Sequence, residues 1–331
     1  MINYGKHYLD KNDINSINNV LKRKFLTQGN EIVKFEKNLC QYFGSKYALA
    51  VSSGTAALNI ISKILDWKKD DIIFCSPITF VSSSNCILHQ GASPLFIDIN
   101  KDTFNIDTDL LKKQLRKKKI SNKAKAIIAT DFGGNPCDWR ELKKISKKYN
   151  LVLINDNCHA LGASMENNKK YAVKYADIIS HSYHAVKNMT TGEGGSILTN
   201  NKKIFDKAKI LRSHGIIKNI NKSEPWNYDM IQLGSNNRLT DIQATLGSSQ
   251  LKKLNKFVKY RQSLAKFYDI NFSDTKYFLK QKIQKKNKSS YHLYPLIIDF
   301  KKLKKKKSNL FKYLKKKKKY FYKNIINQYI N

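Results

Sequence analysis

A lysine that enters a glycine-rich turn is the residue of this chain whose context most suggests chemistry. Lys187 follows a predicted strand and opens the segment 187–195, which contains Gly192, Gly194 and Gly195. A lysine amine attacks a carbonyl carbon only when it is deprotonated, so it needs a partly desolvated pocket, and glycines let the backbone approach a flat cofactor closely. In a chain with 62 lysine and arginine residues, any single lysine is ordinarily a solvated surface charge, so companion residues must decide.

A carboxylate at the end of an apolar strand is the first companion. Residues 151–154 are Leu-Val-Leu-Ile, and Asp156 follows two positions later. A lysine that forms a Schiff base and an aspartate that keeps a pyridine nitrogen protonated together indicate pyridoxal phosphate, because the protonated ring accepts the electron pair left when a carbon acid loses its proton. His159 would address the ring face or the phenolic oxygen. Taken alone, Asp156 could equally be a helix cap or a loop carboxylate.

A strand-to-helix junction offers a phosphate site. The first predicted strand leads through Ser53, Gly54 and Thr55 into a helical pattern of apolar residues. Free backbone N–H groups and the helix dipole favour a dianion at a helix start, and the hydroxyl groups of Thr55 and Ser182 would add donors. The alternative is an ordinary helix cap. At another such junction Phe80 could stack on the pyridine ring, although an aromatic residue there is more often part of a core.

The order of elements predicts how these residues come together. An apolar stripe at helical spacing consists of Ile32, Phe35, Leu39 and Phe43. Strands are predicted near Tyr47, Ile72, Leu95, Ala126, Leu151 and Ile178, with helical segments between most of them. This alternation predicts an α/β fold, a largely parallel sheet with helices on both faces. The candidate cofactor residues fall at strand ends, where open α/β sheets bind ligands.

Chain length and a capping pair predict the domain organisation. Thr240 with Gln243 would open a long helix that continues through Tyr268. We predict a large cofactor-binding domain at residues 1–240, a linking helix at 241–270 and a partial, smaller α+β domain at 271–331.

Composition favours a soluble enzyme over a binding module. The hydrophobic fraction is 41%, which is enough for a large core in a chain of 331 residues. The formal net charge of +37 would give non-specific affinity for polyanions. No aromatic-interleaved basic motif and no zinc-ligand spacing accompanies the charge, so neither a specific nucleic-acid partner nor a metal site is expected.

Cysteine usage and the absence of leader and span patterns predict the compartment. The five cysteines are odd in number and contain no Cys-x-x-Cys pair, so we expect reduced thiols. The sequence has no charged-then-apolar leader and no run of about 18 apolar residues, so no membrane partner and a cytoplasmic location are expected.

Together the motifs resemble a known family. The chain is similar to the fold-type I pyridoxal phosphate aminotransferases that act on nucleotide-linked keto-sugars, and it keeps Lys187 where the dehydratase branch has histidine. The family's motifs match, in order, at residues 26–29, 53–58, 156–162, 182–195 and 233–250. The segments that most resemble the aminotransferases for UDP-4-keto-6-deoxy-N-acetylhexosamines in pseudaminic acid biosynthesis are residues 190–195, 225–230 and 290–295.

The resemblance implies a role for each matching residue. Lys187 would form the Schiff base, Asp156 would pair with the pyridine nitrogen and His159 would lie beside the phenolic oxygen. The implied cofactor contacts are Gly54, Thr55, Phe80, Asp156, His159, Ser182, Lys187 and Asn236. The implied substrate contacts are Tyr4, Lys6, Thr27 and Arg238, and for Arg238 a surface ion pair is equally open. Because Asn236 reaches across from a second subunit in the family, a homodimer with a shared active site is implied.

The sequence also departs from the family pattern. Asp131 stands where the family has histidine, Asn155 replaces an acidic residue, and Ser235 and Asn237 replace aromatic residues. After residue 299 the chain becomes lysine-rich and lacks the family's later histidine and aromatic segment. We interpret this end as a truncation or a reading-frame slip; a solvated or disordered tail and attraction to nucleic acid are the alternatives.

The function expected from the resemblance is transfer of an amino group from glutamate to the C4 ketone of a UDP-linked 4-keto-6-deoxy-N-acetylhexosamine. Three alternatives stay open. The chain could aminate another keto-sugar, of the perosamine or bacillosamine type. It could be a truncated cofactor-binding protein with little activity, or, in a different class, a polyanion-binding protein.

Overall fold

The computed structural model describes residues 6–218, 226–272 and 276–316. Its helices are α1 (Lys11–Leu21), α2 (Asn30–Phe43), α3 (Gly54–Leu65), α4 (Ser82–Leu88), α5 (Thr108–Leu115), α6 (Lys118–Ser121), α7 (Trp139–Lys148), α8 (Tyr171–Tyr175), α9 (Lys202–Arg212), α10 (Asp241–Asn271) and α11 (Lys307–Lys316). Its strands are β1 (Tyr47–Val51), β2 (Ile72–Cys75), β3 (Ser93–Phe96), β4 (Ala124–Thr130), β5 (Val152–Asp156), β6 (Ile178–Ser182), β7 (Gly195–Thr199), β8 (Ile216–Lys218), β9 (Tyr228–Met230), β10 (Phe278–Lys280) and β11 (Leu296–Ile298).

A seven-stranded sheet in the order β1-β7-β6-β5-β4-β2-β3 lies at the centre of the described residues. The contacts between β2, β3, β4, β5 and β6 are parallel, whereas β7 runs antiparallel to both β1 and β6. The six predicted strands are confirmed. Strand β7 was not predicted, because its residues follow the glycine-rich turn directly and include polar Ser196 and Thr199, which the sheet nevertheless buries.

The sheet is covered on both faces, as the alternating elements predicted. In β1, Ala48 and Ala50 pack into one apolar cluster, while Leu49 and Val51 pack into a second cluster on the opposite face. The apolar stripe of α2 belongs to the first cluster and helix α3 to the second. The core therefore consists of two layers, with the sheet between them.

Helix α10 starts at the predicted capping pair. The Thr240 hydroxyl accepts a hydrogen bond from the Gln243 backbone, and the Gln243 side chain accepts one from the Thr240 backbone. The Asp241 carboxylate accepts backbone N–H groups of Gly29 at 2.8 Å and Glu31 at 3.0 Å, so the starts of α2 and α10 are held together. The helix continues to Asn271, slightly beyond the predicted end. The division into domains around it stays a prediction.

Residues 288–293, called here the returning segment, lead the chain from beyond α10 back to the loops of the large sheet. Lys288 exchanges backbone hydrogen bonds with Ser164, and Ser290 N–H donates to the Gly134 carbonyl at 3.0 Å. At the end of the returning segment, Leu293 N–H donates to the Gly133 carbonyl. Strand β11 follows and pairs antiparallel with β10.

The cysteines and the lengths of the helices complete the description of the fold. All five cysteines are free thiols, and Cys75, Cys86 and Cys137 are buried. Among the described residues, no helix combines the length and the apolar character that crossing a bilayer requires.

Candidate active site

Lys187 lies in the loop that joins β6 to β7. The ends of this loop, Ser182 and Gly195, are register partners in the sheet. Within the loop, Tyr183 N–H donates to the Gly194 carbonyl at 2.8 Å and Thr191 N–H donates to the Tyr183 carbonyl at 2.9 Å. The lysine is therefore presented from a hydrogen-bonded turn at the edge where the parallel strands end.

The surroundings of Lys187 favour its neutral amine. The side chain is half-buried, and burial lowers the pKa of Lys187 below that of an ordinary lysine, although the nearby Cys158 and Asp156 oppose this shift. A lowered pKa increases the fraction of amine that can attack a carbonyl carbon or accept a proton. Lys187 is thus not placed as a solvated surface charge.

Asp156 is the last residue of β5 and is 2% exposed. Its Oδ2 atom accepts a hydrogen bond from Ser83 Oγ at 2.7 Å, and its Oδ1 atom accepts the Cys158 backbone N–H at 3.3 Å. It does not cap a helix. Ser83 was missed from the sequence because it stands among three adjacent serines, and its only signal is a helical spacing of four from the buried Ile87.

His159 lies against a histidine of the returning segment. Its ring centroid is 4.5 Å from that of His292 and 5.8 Å from that of Phe132. Within the described residues the Nδ1 atoms of both histidines are buried without a hydrogen-bond partner. Burial, and then the charge of Lys187, lowers the pKa of His159 and of His292 well below the ordinary value, so both rings are neutral. His292 was not among the predicted site residues, since nothing local in the sequence connects it to His159.

The predicted phosphate site forms at the start of α3. Ser53 caps this helix by accepting the Ala56 N–H at 3.0 Å. A Cβ atom added to Gly54 would lie 2.8 Å from Ser182 Cβ, and one added to Gly195 would lie 2.5 Å from the Ser53 carbonyl carbon. These close approaches require glycine and bring the Ser182 hydroxyl beside the helix start. Thr55 is exposed at the same helix start.

The segment before α10 runs beside this helix start. Arg238 forms an isolated antiparallel bridge with Val51, the last residue of β1, and the Asn236 side chain accepts the Arg238 N–H at 3.5 Å. Asn236 itself is exposed. Thr27, also exposed, forms a bridge with Thr240. The structure thus brings Arg238 and Asn236 close to the end of β1.

Three other predicted residues are less closely integrated. Phe80 is 63% exposed in the turn before α4, so it is not part of the core. Lys6 is exposed ahead of α1. Tyr4 lies outside the described residues.

Asp131 shows how the chain accommodates its departures from the family pattern. The carboxylate is fully buried and accepts hydrogen bonds from one backbone N–H and four side chains around it. Its donors are Cys137 N–H at 2.7 Å, Tyr171 Oη at 2.7 Å, Trp139 Nε1 at 2.8 Å, Asn157 Nδ2 at 2.9 Å and Asn155 Nδ2 at 3.3 Å. Asn155 and Asn157 lie on either side of Asp156 in the sequence. By binding both, the Asp131 carboxylate fixes the end of β5 around Asp156.

The arrangement fits pyridoxal phosphate. A partly buried amine, a buried carboxylate and a capped helix start beside a serine hydroxyl are the groups that the aldehyde, the pyridine nitrogen and the phosphate of this cofactor need. The buried Nδ1 atom of His159 still lacks a partner within the described residues. The sheet carries a lysine in the loop between β6 and β7, together with this carboxylate and this helix start. These features place the protein in the class of fold-type I pyridoxal phosphate enzymes.

Comparison with known proteins identifies the family. The profile of the DegT/DnrJ/EryC1/StrS aminotransferase family matches residues 7–328, and the chain belongs to this family. Over 298 residues it is 41% identical to the UDP-4-amino-4,6-dideoxy-N-acetyl-beta-L-altrosamine transaminase of Campylobacter jejuni subsp. jejuni serotype O:23/36 (strain 81-176). This alignment covers 90% of the chain and 77% of the relative.

Solved structures agree with this assignment. Helicobacter pylori PseC, described as an aminotransferase involved in the biosynthesis of pseudoaminic acid, superposes with a TM-score of 0.86 at 33% identity, over 99% of this chain and 86% of that one. The pyridoxal phosphate form of Spr1654 from Streptococcus pneumoniae superposes with a TM-score of 0.84 at 27% identity, over 96% and 82% of the two chains. The predicted fold class, cofactor and aminotransferase activity are therefore confirmed.

Proposed function

We propose that this aminotransferase moves an amino group from glutamate to the C4 ketone of a UDP-linked 4-keto-6-deoxy-N-acetylhexosamine, in pseudaminic acid or related surface-sugar biosynthesis. The observation that carries the proposal is the 41% identity to the Campylobacter jejuni transaminase, which extends over 90% of the chain.

The candidate residues divide the chemistry among them. Bound pyridoxal phosphate supplies an electron sink for the pair released when the substrate carbon loses its proton. Lys187 Nζ accepts this proton and returns it, for which its lowered pKa suits it. Asp156 would hold the proton of the pyridine nitrogen, and the neutral His159 would face the phenolic oxygen. The start of α3, with Gly54, Thr55 and Ser182, binds the phosphate.

Substrate binding and assembly are assigned to residues around the site. Lys6, Thr27 and Arg238 would contact the sugar nucleotide, whose diphosphate favours basic side chains, and Phe80 would stack on the cofactor ring. Asn236 completes the phosphate site of a second subunit, so the active form is a homodimer. Exposed apolar residues that precede Asn236 in the sequence support a subunit interface, because an exposed apolar patch is unusual on a monomer. They include Trp226 and Leu233, each 74% exposed, and Met230, 66% exposed.

A substrate panel tests the proposal. The purified protein, saturated with pyridoxal phosphate, is incubated with glutamate and UDP-, GDP- or dTDP-linked keto-sugars, and amino-sugar formation is measured. We expect turnover with the UDP-linked 4-keto-6-deoxy-N-acetylhexosamine and none with the Lys187→Ala control. Preferred turnover of a perosamine or bacillosamine precursor would replace the proposed substrate. Cofactor binding without turnover of any sugar would contradict the proposed activity.

A further inference from the structure

The carboxylate of Asp156 terminates a chain of hydroxyl groups that crosses three elements of the fold. Ser83 Oγ, on α4, lies 2.7 Å from Asp156 Oδ2. Thr79 Oγ1, in the turn before that helix, lies 3.0 Å from Ser83 Oγ and 2.9 Å from Thr130 Oγ1 at the end of β4. The four side chains therefore form one continuous line of hydrogen bonds.

The direction of these hydrogen bonds follows from the number of hydrogens. An ionised carboxylate only accepts, and each hydroxyl has a single hydrogen. Ser83 must therefore donate to Asp156, which leaves it to accept from Thr79. Thr79 has then used its hydrogen and accepts from Thr130. Every hydroxyl in the chain points toward the carboxylate.

Three of the four side chains are buried away from water, whereas Thr79 is half-buried. Ser83 is 0% exposed, Asp156 is 2% exposed and Thr130 is 3% exposed. Hydrogen bonds to a charge are strong in such a low-dielectric setting, and successive hydroxyl groups polarise one another. The two oxygens of Asp156 are held unequally, since within the described part of the chain the hydrogen bond given for Oδ1 is the 3.3 Å one from the Cys158 N–H. Oδ1 is consequently the oxygen with the greater remaining capacity to accept a hydrogen bond.

We infer that Ser83 is a positioning residue for the reaction, which orients Asp156 through Oδ2 and, by stabilising its ionised form, keeps the shared proton on the pyridine nitrogen of the cofactor. Thr79 and Thr130 support it by fixing the direction of the Ser83 hydroxyl. The inference rests on the proposed role of Asp156. Without the donated hydrogen bond, the ionised carboxylate is less stable, so the shared proton moves toward Asp156 and the ring becomes a weaker electron sink.

A graded series of variants provides the test. Ser83→Ala removes the donor, whereas Thr79→Val and Thr130→Val remove hydroxyl groups one and two steps further away at almost constant volume. Ser84→Ala is the matched control, because Ser84 lies on the same helix and its hydroxyl donates to the carbonyl of Val81, the residue before that helix. Each protein is loaded with pyridoxal phosphate carrying nitrogen-15 in the ring, and the ring-nitrogen chemical shift and the amino-donor half-reaction rate are measured.

We expect the ring-nitrogen shift to move toward the unprotonated value in Ser83→Ala and less so in Thr79→Val and then Thr130→Val. The half-reaction should slow by about tenfold to a hundredfold in Ser83→Ala, and Ser84→Ala should match wild type in both measurements. If Ser83→Ala does not fold, the sign of the Thr79→Val change decides. The inference would be overturned if Ser83→Ala folds and keeps the wild-type ring-nitrogen shift. If Ser83→Ala does not fold, a wild-type shift in Thr79→Val would overturn it.

Asp156→Ala, measured in parallel, separates two kinds of failure. If it moves the ring-nitrogen shift and the hydroxyl variants do not, only the role of Ser83 is wrong. If Asp156→Ala itself leaves the shift at the wild-type value, the proposed role of Asp156 is wrong as well.

Discussion

Lys187 differs from the other lysines of the chain in what surrounds it. Most of the lysines lie on the surface, whereas Lys187 is half-buried in a turn beside a carboxylate and a thiol. The glycines that follow it in sequence permit the turn, but the lowered pKa depends on burial, which only the folded chain provides. A residue type and its spacing thus predicted the chemistry, and the fold supplies the conditions for it.

Replacing this lysine tests its assignment at the level of one residue. Lys187→Ala should abolish turnover and the visible absorbance band of the lysine-bound cofactor while leaving the unfolding midpoint almost unchanged, because the side chain is assigned to chemistry and not to packing. Lys203→Ala, which alters an exposed lysine, should behave like wild type. Cofactor that borohydride still fixes to the Lys187→Ala protein would show that another lysine holds it.

Buried neutral histidines predict a pH dependence of stability. Burial lowers the pKa of His159, His292 and His181, the last to about 3. Below the ordinary imidazole pKa of about 6.5, the unfolded chain binds protons that the folded chain does not, so stability is complete above this pH and is lost as the pH falls. The free energy of unfolding should decrease by about 1.4 kcal/mol per pH unit for each buried imidazole.

Urea unfolding at about pH 7.5 and about pH 5.5, on either side of the imidazole pKa, measures this loss. His181→Asn should make the dependence shallower, whereas substitution of the exposed His89 by Asn should leave it unchanged. Equal urea midpoints at the two pH values would show that the buried rings are protonated in the folded protein.

At the scale of elements, the returning segment connects the later part of the chain to the site. Ser290 Oγ donates to the His159 carbonyl at 3.0 Å, and Asn188 Nδ2, next to Lys187, donates to the Ser290 carbonyl at 2.9 Å. From α10, Arg261 donates to the His292 carbonyl at 3.3 Å. The position of His292 against His159 is therefore set by several independent hydrogen bonds.

A glycine under this segment tests its importance. Gly134 has a φ of +100°, and a Cβ atom there would lie 2.5 Å from Ser290 Oγ and 2.8 Å from the Tyr291 nitrogen. Gly91 has a φ of +75° but nothing within 4 Å of such an atom. Gly134→Ala should lower the free energy of unfolding by about 1–3 kcal/mol more than Gly91→Ala, because it adds steric displacement to backbone strain.

Chemical denaturation of both variants gives this difference, and cofactor affinity reports the consequence for the site. We expect weaker cofactor binding in Gly134→Ala only. Equal losses in the two variants would mean that the returning segment moves aside at little cost.

The elements also show what the sequence could and could not predict. The periodic stripe of α2 and the junction at Ser53 identified their elements because local patterns specify them. The contact between His159 and His292, and that between Ser83 and Asp156, join residues far apart in sequence, and no local pattern encodes such pairs. The same holds for β7, whose place between β1 and β6 depends on the whole sheet.

At the scale of the whole molecule, the proposed dimer predicts complementation between inactive proteins. Lys187→Ala and Asn236→Asp proteins should each be inactive, and their mixture should recover up to about a quarter of wild-type activity, since half of randomly exchanged dimers are hybrids with one complete site. A mixture of Lys187→Ala with the Lys187→Ala, Asn236→Asp double variant should stay inactive. Complete subunit exchange without recovery would count against a shared site.

The hydrogen-bonded closure of the loop around Lys187 has a mechanical consequence. Because Ser182 and Gly195 are partners in the sheet and Tyr183 bonds to both Gly194 and Thr191, this backbone cannot swing open as a lid. The Lys187 amine must therefore move by rotation about its side-chain bonds alone, while the backbone of the loop stays in place. Backbone amides of Tyr183 and Thr191 should accordingly exchange with deuterium as slowly without cofactor as with it.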